Sequence, residues 1–568
     1  MSGPIFEHAA FDRLIEDFSA QVSRCLLSSP SVARFATGVE NLKERNDSPF
    51  QVAVTGQMRC GKSTLLNALM GKELAITGVD ETTATINKFT HSESNMGLFR
   101  VHWKGGRQHE DFPIERIKDW LGKSDLAAET AWLEFFSDSA YLKTASVVDT
   151  PGTRSTIDSH TEAVTGFIVD EDAAERLQTK SMDESGKADA IVYVFPPVAR
   201  ETDEDFLAKF DSDSRVPDSS PYNSIAVLHK WDASYSPSEA QAMADKLATR
   251  MKTSVSTVIP VSAPLAIAVQ RFSSWFWQDV LTLAKSSPED LKTLLRKDTY
   301  FCSETDDSLG VTPSLPREER LRMLNHTREE CQFYPWPSFR LIITTAANGS
   351  YSTIEELKSD IQRMSGIDIL SSELKRRFFD RAGTIKKFSI LGKAWGPCTR
   401  AQLTLRNRKS ELSDMLRKSA LALSQVGKSS SMEDAREFIS YSKENLEREL
   451  HSVREALSGL ESWMQSVKEV HEQMERDVEM TEHLDKMALS DADREILAYL
   501  FGNHGSSAKE RTGIFLVENA QLMEDKLLAA IDKFRDASGR AKKIDRDVFD
   551  HAVSRLEELI VTLENEGH

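Results

Sequence analysis

Short apolar runs punctuate the first two thirds of the chain and then stop. FQVAVTG (50–56), KTASVVD (143–149), AIVYVF (190–195), NSIAVLH (223–229), STVIPV (256–261) and FRLIITT (339–345) are rich in β-branched residues and predict strands. Between Gln51 and about Ile369 they alternate with helical patterns, as a mostly parallel sheet with helices on both faces requires. From Gly383 onward the pattern is helical only. Leu446, Leu450, Val453, Leu457, Leu460, Met464, Val467, Met474 and Val478 keep the four-and-three spacing of a heptad seam, with His471 filling one slot as a half-buried seam residue. GKSSS (427–431) and GNHGSS (502–507) read as turns. Residues 1–48 read as two helices, with Phe11, Leu14, Ile15 and Phe18 on one face, and their natural partner is the helical bundle. The expected organisation is therefore N-terminal helices (1–48), an α/β head (49–382) and a long all-α bundle (383–568).

Composition narrows the classes. The 568 residues would make about three to five domains on length alone, fewer if one is a large head with a helical extension. A formal charge of −18 argues against nucleic acid as a partner, which needs a basic face. Five scattered cysteines without C-x-x-C spacing suggest reduced thiols, with neither a disulfide framework nor a zinc site. The N-terminus has no basic region followed by an apolar core, and nowhere do about eighteen apolar residues run uninterrupted. The expected location is cytoplasmic, with any membrane contact peripheral.

The chemistry begins after FQVAVT. Gly56-Gln57-Met58-Arg59-Cys60-Gly61-Lys62-Ser63-Thr64 has the spacing of a phosphate cradle. Its glycines let backbone N–H groups turn inward, Lys62 reaches the β- and γ-phosphates, and the Ser63 hydroxyl coordinates Mg²⁺. The following helix adds its positive end. Asp149-Thr150-Pro151-Gly152 closes a strand; Asp149 would hold Mg²⁺ through water and the Gly152 amide would meet a γ-phosphate. His229-Lys230-Trp231-Asp232 closes another. An aspartate there accepts from both N1 and N2 of guanine, which selects GTP and GDP over adenine nucleotides. The Lys230 stem would lie over the base, and Val261-Ser262-Ala263 would present a backbone N–H to guanine O6. The loop 77–84 carries Thr82 and Thr83, one of which, Thr83 by preference, would complete the metal shell and position water.

GQMRCGKSTLLNALMG, ITGVDETTATI, DTPG, HKWD and VSA together resemble the GTPase domain of bacterial dynamin-like proteins, and SGIDILSSELKRRFFDRAGTIKK (365–387) resembles the helix leading from such a domain into its neck. The resemblance covers about residues 50–390; beyond them only the long-helix architecture matches. It implies a GTPase head, neck and trunk, a homodimer formed head to head with GTP, peripheral membrane work such as remodelling or vesicle release, and a second dynamin-like partner in some cases. Two departures stand out. His229 replaces the usual asparagine or threonine, although an imidazole would still donate to guanine N7, and Thr153 and Arg154 follow DTPG where a water-orienting glutamine is expected. In related guanylate-binding large GTPases an arginine at the position of Arg59 is an internal arginine finger, which would make Arg59 catalytic here. Against this stands Arg59 as a surface residue paired with an acid.

Other classes stay open. An assembly GTPase of the Era kind shares GKSTLLNAL and DTPG but carries an Asn-Val pair in the cradle and a basic appendage, neither visible here. A GTP-regulated helical scaffold with little hydrolysis is the third. Candidate membrane contacts are LAYLFGNHG (497–505), expected to expose apolar residues beside a turn, and KKFSILGKAWG (386–396), read in preference as a hinge.

Overall fold

A computed structural model describes residues 45–46, 48–56, 60–71, 86–117, 129–143, 145–149, 188–197, 223–252, 255–303, 309–331, 334–426, 433–484, 486–504, 508–512 and 520–565. They fall into two units, Pro49–Phe379 and a second that joins Met1–Ser48 to Asp380–His568. The expected N-terminal helices lie outside the described residues except at 45–46 and 48. There, Lys386 donates to the carbonyls of Asn46 and Ser48, and Arg45 to Ser389 Oγ.

In the first unit, β1 (Phe50–Gly56), β2 (Ile86–His91), β3 (Leu98–Trp103), β4 (Glu110–Pro113), β5 (Thr130–Ser137), β6 (Ala145–Asp149), β7 (Ala190–Phe195), β8 (Ser224–His229) and β9 (Val258–Val261) form one sheet in the order β4-β3-β5-β2-β6-β1-β7-β8-β9. From β6 to β9 every pairing is parallel, as is β2 with β5. The pairings β2–β6, β3–β5 and β3–β4 are antiparallel. β7 and β8 are buried at every position, the condition under which a strand reads as a continuous apolar run. Helix α2 (Pro237–Arg250), started by a Ser236–Glu239 capping box, lays Met243, Ala244 and Leu247 against Tyr193, Phe195, Ala226 and Leu228. Helix α1 (Lys62–Met70) follows β1.

β2 to β5 were not foreseen. In LFRVHW, Phe99, Val101 and Trp103 are buried while Leu98, Arg100 and His102 are half-buried, so these strands alternate with polar residues and lack apolar runs. FRLIITT corrects the expectation in the other direction: it is helix. It lies within α6 (Trp336–Asn348), where Phe339, Ile342, Ile343 and Ala346 are buried at helical spacing behind a proline in the first turn. Among the described residues the strands end at Val261. Helices α3 (Ala263–Arg271), α4 (Ser274–Leu283), α5 (Arg317–Glu330), α6 and α7 (Ile354–Ser365) contribute to a second core, with Phe276, Trp277, Met323, Phe339 and Leu357 in it, and α8 (Ile367–Leu374) follows α7. A π-helical stretch, Lys375–Phe379, follows α8.

In the second unit, α9 (Ala382–Gln425) and α10 (Glu433–Leu484) run antiparallel. Phe388 stacks on His471 at 4.2 Å, while Arg408, twenty residues along, reaches Glu449 at 2.7 Å. The seam is the expected one on α10, Leu450 to Met474, with Leu446 partly buried; α9 answers it with Leu391, Ala394, Cys398, Ala401, Leu405 and Leu412. KKFSILGKAWG lies within α9, with Trp395 exposed. It is unbroken helix, with Ile390 and Leu391 buried in the seam. LAYLFGNHG is corrected as well: Leu497, Leu500 and Phe501 are fully buried in a core shared by α11 (Asp491–Leu500), α12 (Ala520–Arg540) and α13 (Lys543–Asn565). Beneath that core Asp477 accepts from His551, Arg511 and Arg555. Burial alone would raise its pKa, but the two guanidinium charges and the His551 bond reverse this and hold it well below the usual carboxylate range. Among the described residues no helix is long and apolar enough to cross a membrane.

Candidate functional site

Two glycines shape the cradle. A Cβ on Gly56, at φ +149°, would lie 1.9 Å from the Val194 carbonyl oxygen of β7, so no other residue fits. Gly61, at φ +95°, caps α1 in the left-handed region, and a Cβ there would lie 2.6 Å from the His229 ring. The cap residue Gly61 offers no side chain to the start of α1, and a helix N-terminus of this kind suits an anion. Lys62 is buried, its Nζ donating to the Gly56 carbonyl at 3.5 Å across the loop.

Register places the metal-side groups. Val54 pairs with Asp149, so the end of β6 lies beside the start of the cradle, and Ser63 Oγ donates to Asp149 Oδ2 at 3.0 Å. Asp149 Oδ1 is buried without a hydrogen bond. Burial raises the Asp149 pKa, with the Lys62 charge and the Ser63 bond opposing. A hydroxyl beside a carboxylate with an unsatisfied oxygen is the donor set that Mg²⁺ takes together with phosphate oxygens. No cluster of three or more His, Cys, Asp or Glu that would hold a metal by protein ligands alone occurs among the described residues.

The base side is organised around His229. Its ring is fully buried, and Nδ1–H donates to the Cys60 carbonyl at 2.8 Å while Nε2 accepts from the Ala263 N–H at 3.4 Å. Both nitrogens are thus engaged between the cradle and the loop after β9, which corrects the expectation that this imidazole donates to guanine N7. The amides expected to meet guanine O6 are also bonded, Ala263 to His229 and Ser262 to the Ser365 carbonyl. Lys230 adopts φ +60° and its Cε approaches Gly61; burial lowers its pKa. Asp232 is buried, with Oδ1 unsatisfied and Oδ2 accepting from Ser338. Ser338, on α6, had no signal in the sequence, because the run that follows it, FRLIITT, read as a strand. Thr64 is half-buried on α1. Gln57, Met58, Arg59, Thr82, Thr83 and Gly152 lie outside the described residues.

Burial pushes the His229 pKa down to about 4, Lys230 adding to the effect and the Cys60 bond opposing it. The depressed value means that the neutral ring contributes stability above its ordinary 6.5, lost as pH falls toward about 4. That gap is worth about 3 kcal/mol. Thermal midpoints of wild type and His229→Asn between pH 7 and pH 4 test this. The wild type should lose more stability on acidification, and identical pH profiles would remove His229 as the cause.

Residues 52–207 match the sequence profile of the dynamin family. Over 148 residues the chain is 28% identical to the isoniazid-induced protein IniC of Mycobacterium tuberculosis, covering 24% of this chain and 28% of that protein. It is 26% identical over 213 residues to an uncharacterized protein in the xynA 3′ region of Caldicellulosiruptor sp., covering 36% of this chain and 47% of the relative. The chain thus matches less than half the length of either relative. A solved structure described as an oligomerised bacterial dynamin pair for long-range sensing and tethering of membranes aligns over 96% of this chain and 86% of its own, at 13% identity and a TM-score of 0.30.

Proposed function

We propose that this chain is a dynamin-like GTPase that binds GTP with Mg²⁺, hydrolyses it, and couples pairing of its heads to movement of its long helices at a membrane surface; the match of residues 52–207 to the dynamin family profile supports this reading. The observation that carries the nucleotide reading is a pair of buried carboxylates, Asp149 and Asp232, each with one unsatisfied oxygen, on either side of an uncapped helix start with a buried lysine. Unsatisfied buried acceptors are costly, and a ligand bringing a metal to one and donors to the other removes both costs. Ser63 and Asp149, with Thr83 as a further candidate, would hold Mg²⁺, which when bound neutralises charge on the phosphates. Lys62 and the first amides of α1 would hold the phosphates, and Asp232 the guanine edge. Asp149 and His229, the ends of β6 and β8, are both buried.

Calorimetry with guanine and adenine nucleotides tests the base assignment. The wild type should prefer GDP to ADP, and Asp232→Asn should lose that preference by about 10-fold or more, the discrimination carried by a charged hydrogen-bonding group. Equal affinities in the wild type would remove the guanine reading. Membrane work is tested by flotation with liposomes of anionic lipid, with and without a GTP analogue. Turnover that rises with protein concentration separates the mechanoenzyme from a scaffold that hydrolyses little.

A further inference from the structure

We propose that Ser338 is a positioning residue for base specificity: through its hydroxyl, α6 fixes the orientation of the Asp232 carboxylate. The inference rests on the reading of Asp232 as the guanine acceptor and adds a residue from an element more than a hundred positions away.

A carboxylate turns about its last bond with only a broad two-fold preference, so something must decide where its oxygens face. The backbone does part of this. Lys230 takes a left-handed conformation, and Trp231, only 1% exposed, anchors the 3₁₀ turn Trp231–Ala233 that carries Asp232. The side chain is set by Ser338, fully buried, whose Oγ–H donates to Asp232 Oδ2. Ser262, in the loop after β9, does not share the task, because its buried hydroxyl makes no hydrogen bond.

Ser338 is held firmly. It is the third residue of α6, whose Phe339, Ile342 and Ile343 are buried in the head's helical core. Just before α6, Tyr334 donates to the Pro264 carbonyl at 3.1 Å, tying its entrance to the first turn of α3. The start of α6 also brings the positive end of its dipole toward the carboxylate. A carboxylate has about four lone-pair sites, so the Ser338 bond leaves capacity on Oδ2 as well as all of Oδ1 for two donors from a base. The device therefore orients the acceptor without consuming it. It also makes base recognition depend on the placement of α6.

The test uses the full-length protein. GDP and ADP affinities, and the KM and kcat of GTP turnover, are measured for wild type, Asp232→Asn, Ser338→Ala, Ser338→Thr and the Asp232→Asn/Ser338→Ala double variant, with thermal midpoints alongside. Ser338→Ala should weaken GDP about 10-fold, as loss of a hydrogen bond to a charged group does. ADP affinity and kcat should stay near wild type. Ser338→Thr, which keeps the hydroxyl, should recover most of the GDP affinity. In the Asp232→Asn background the serine change should add little, because the two residues act as one unit. A wild type that prefers GDP, with the preference lost in Asp232→Asn but unchanged in Ser338→Ala, overturns the inference and leaves the guanine reading standing. Equal weakening of GDP and ADP in Ser338→Ala, with a lowered midpoint, assigns the serine to structure alone and overturns it too. No guanine preference in the wild type removes the guanine reading and the inference with it.

Discussion

Lys62→Ala is expected to lower GTP turnover by at least about 10²-fold, the loss seen when a charge-stabilising donor is taken from a reacting group. Lys62 sits at the first position of α1, and its amine, buried and 3.5 Å from the Gly56 carbonyl, faces the loop interior. Truncating it leaves a phosphate without its compensating charge. Ser63→Asn should act through the neighbouring position, replacing the hydroxyl that bonds Asp149 Oδ2 at 3.0 Å and that would enter the magnesium shell. Neither side chain belongs to the apolar cores, so both variants should keep the wild-type circular dichroism. Turnover and nucleotide affinity are measured on the same folded samples. A folded Lys62→Ala protein that hydrolyses GTP at the wild-type rate would move the active site elsewhere.

Arg59→Ala should lower kcat by on the order of 10² or more while changing GTP affinity little, because an arginine finger acts on charge that develops only during transfer. The motive is in the motif. Thr153 follows DTPG, so no glutamine orients water, and Arg59 stands two positions before Gly61. If head pairing brings the guanidinium to the phosphates, the specific rate should climb with protein concentration. Arg59→Lys keeps the charge but loses the planar fork and should recover only part of the rate. A dilution series of wild type and both variants decides this. A rate independent of concentration sinks the pairing mechanism, and full activity in Arg59→Ala returns the residue to a surface ion pair.

What sequence alone determined about this protein is what short contiguous segments control. A phosphate cradle is a strand end, glycines and a helix start, so Gly56, Gly61, Lys62 and Ser63 were legible together, and Asp149, at the end of a strand, and Asp232, in the turn just after one, followed as carboxylates placed by strands. The α10 seam was legible because its spacing of four and three is a property of one helix. Tertiary structure decided the rest, because burial depends on what covers a segment. FRLIITT carries the residues of a strand, yet its apolar side chains face the core of α4 and α7, and the run is helix. LAYLF reads as an exposed apolar tip until α12 and α13 close over Leu497, Leu500 and Phe501. β2 and β3, half-buried and interleaved with polar residues, have no apolar run to reveal them. The partners of His229 and Asp232 belong here as well. A hydrogen bond between residues 169 or 106 positions apart leaves no local trace, and only the packing of Gly61 under the imidazole and of α6 behind the carboxylate brings those atoms together.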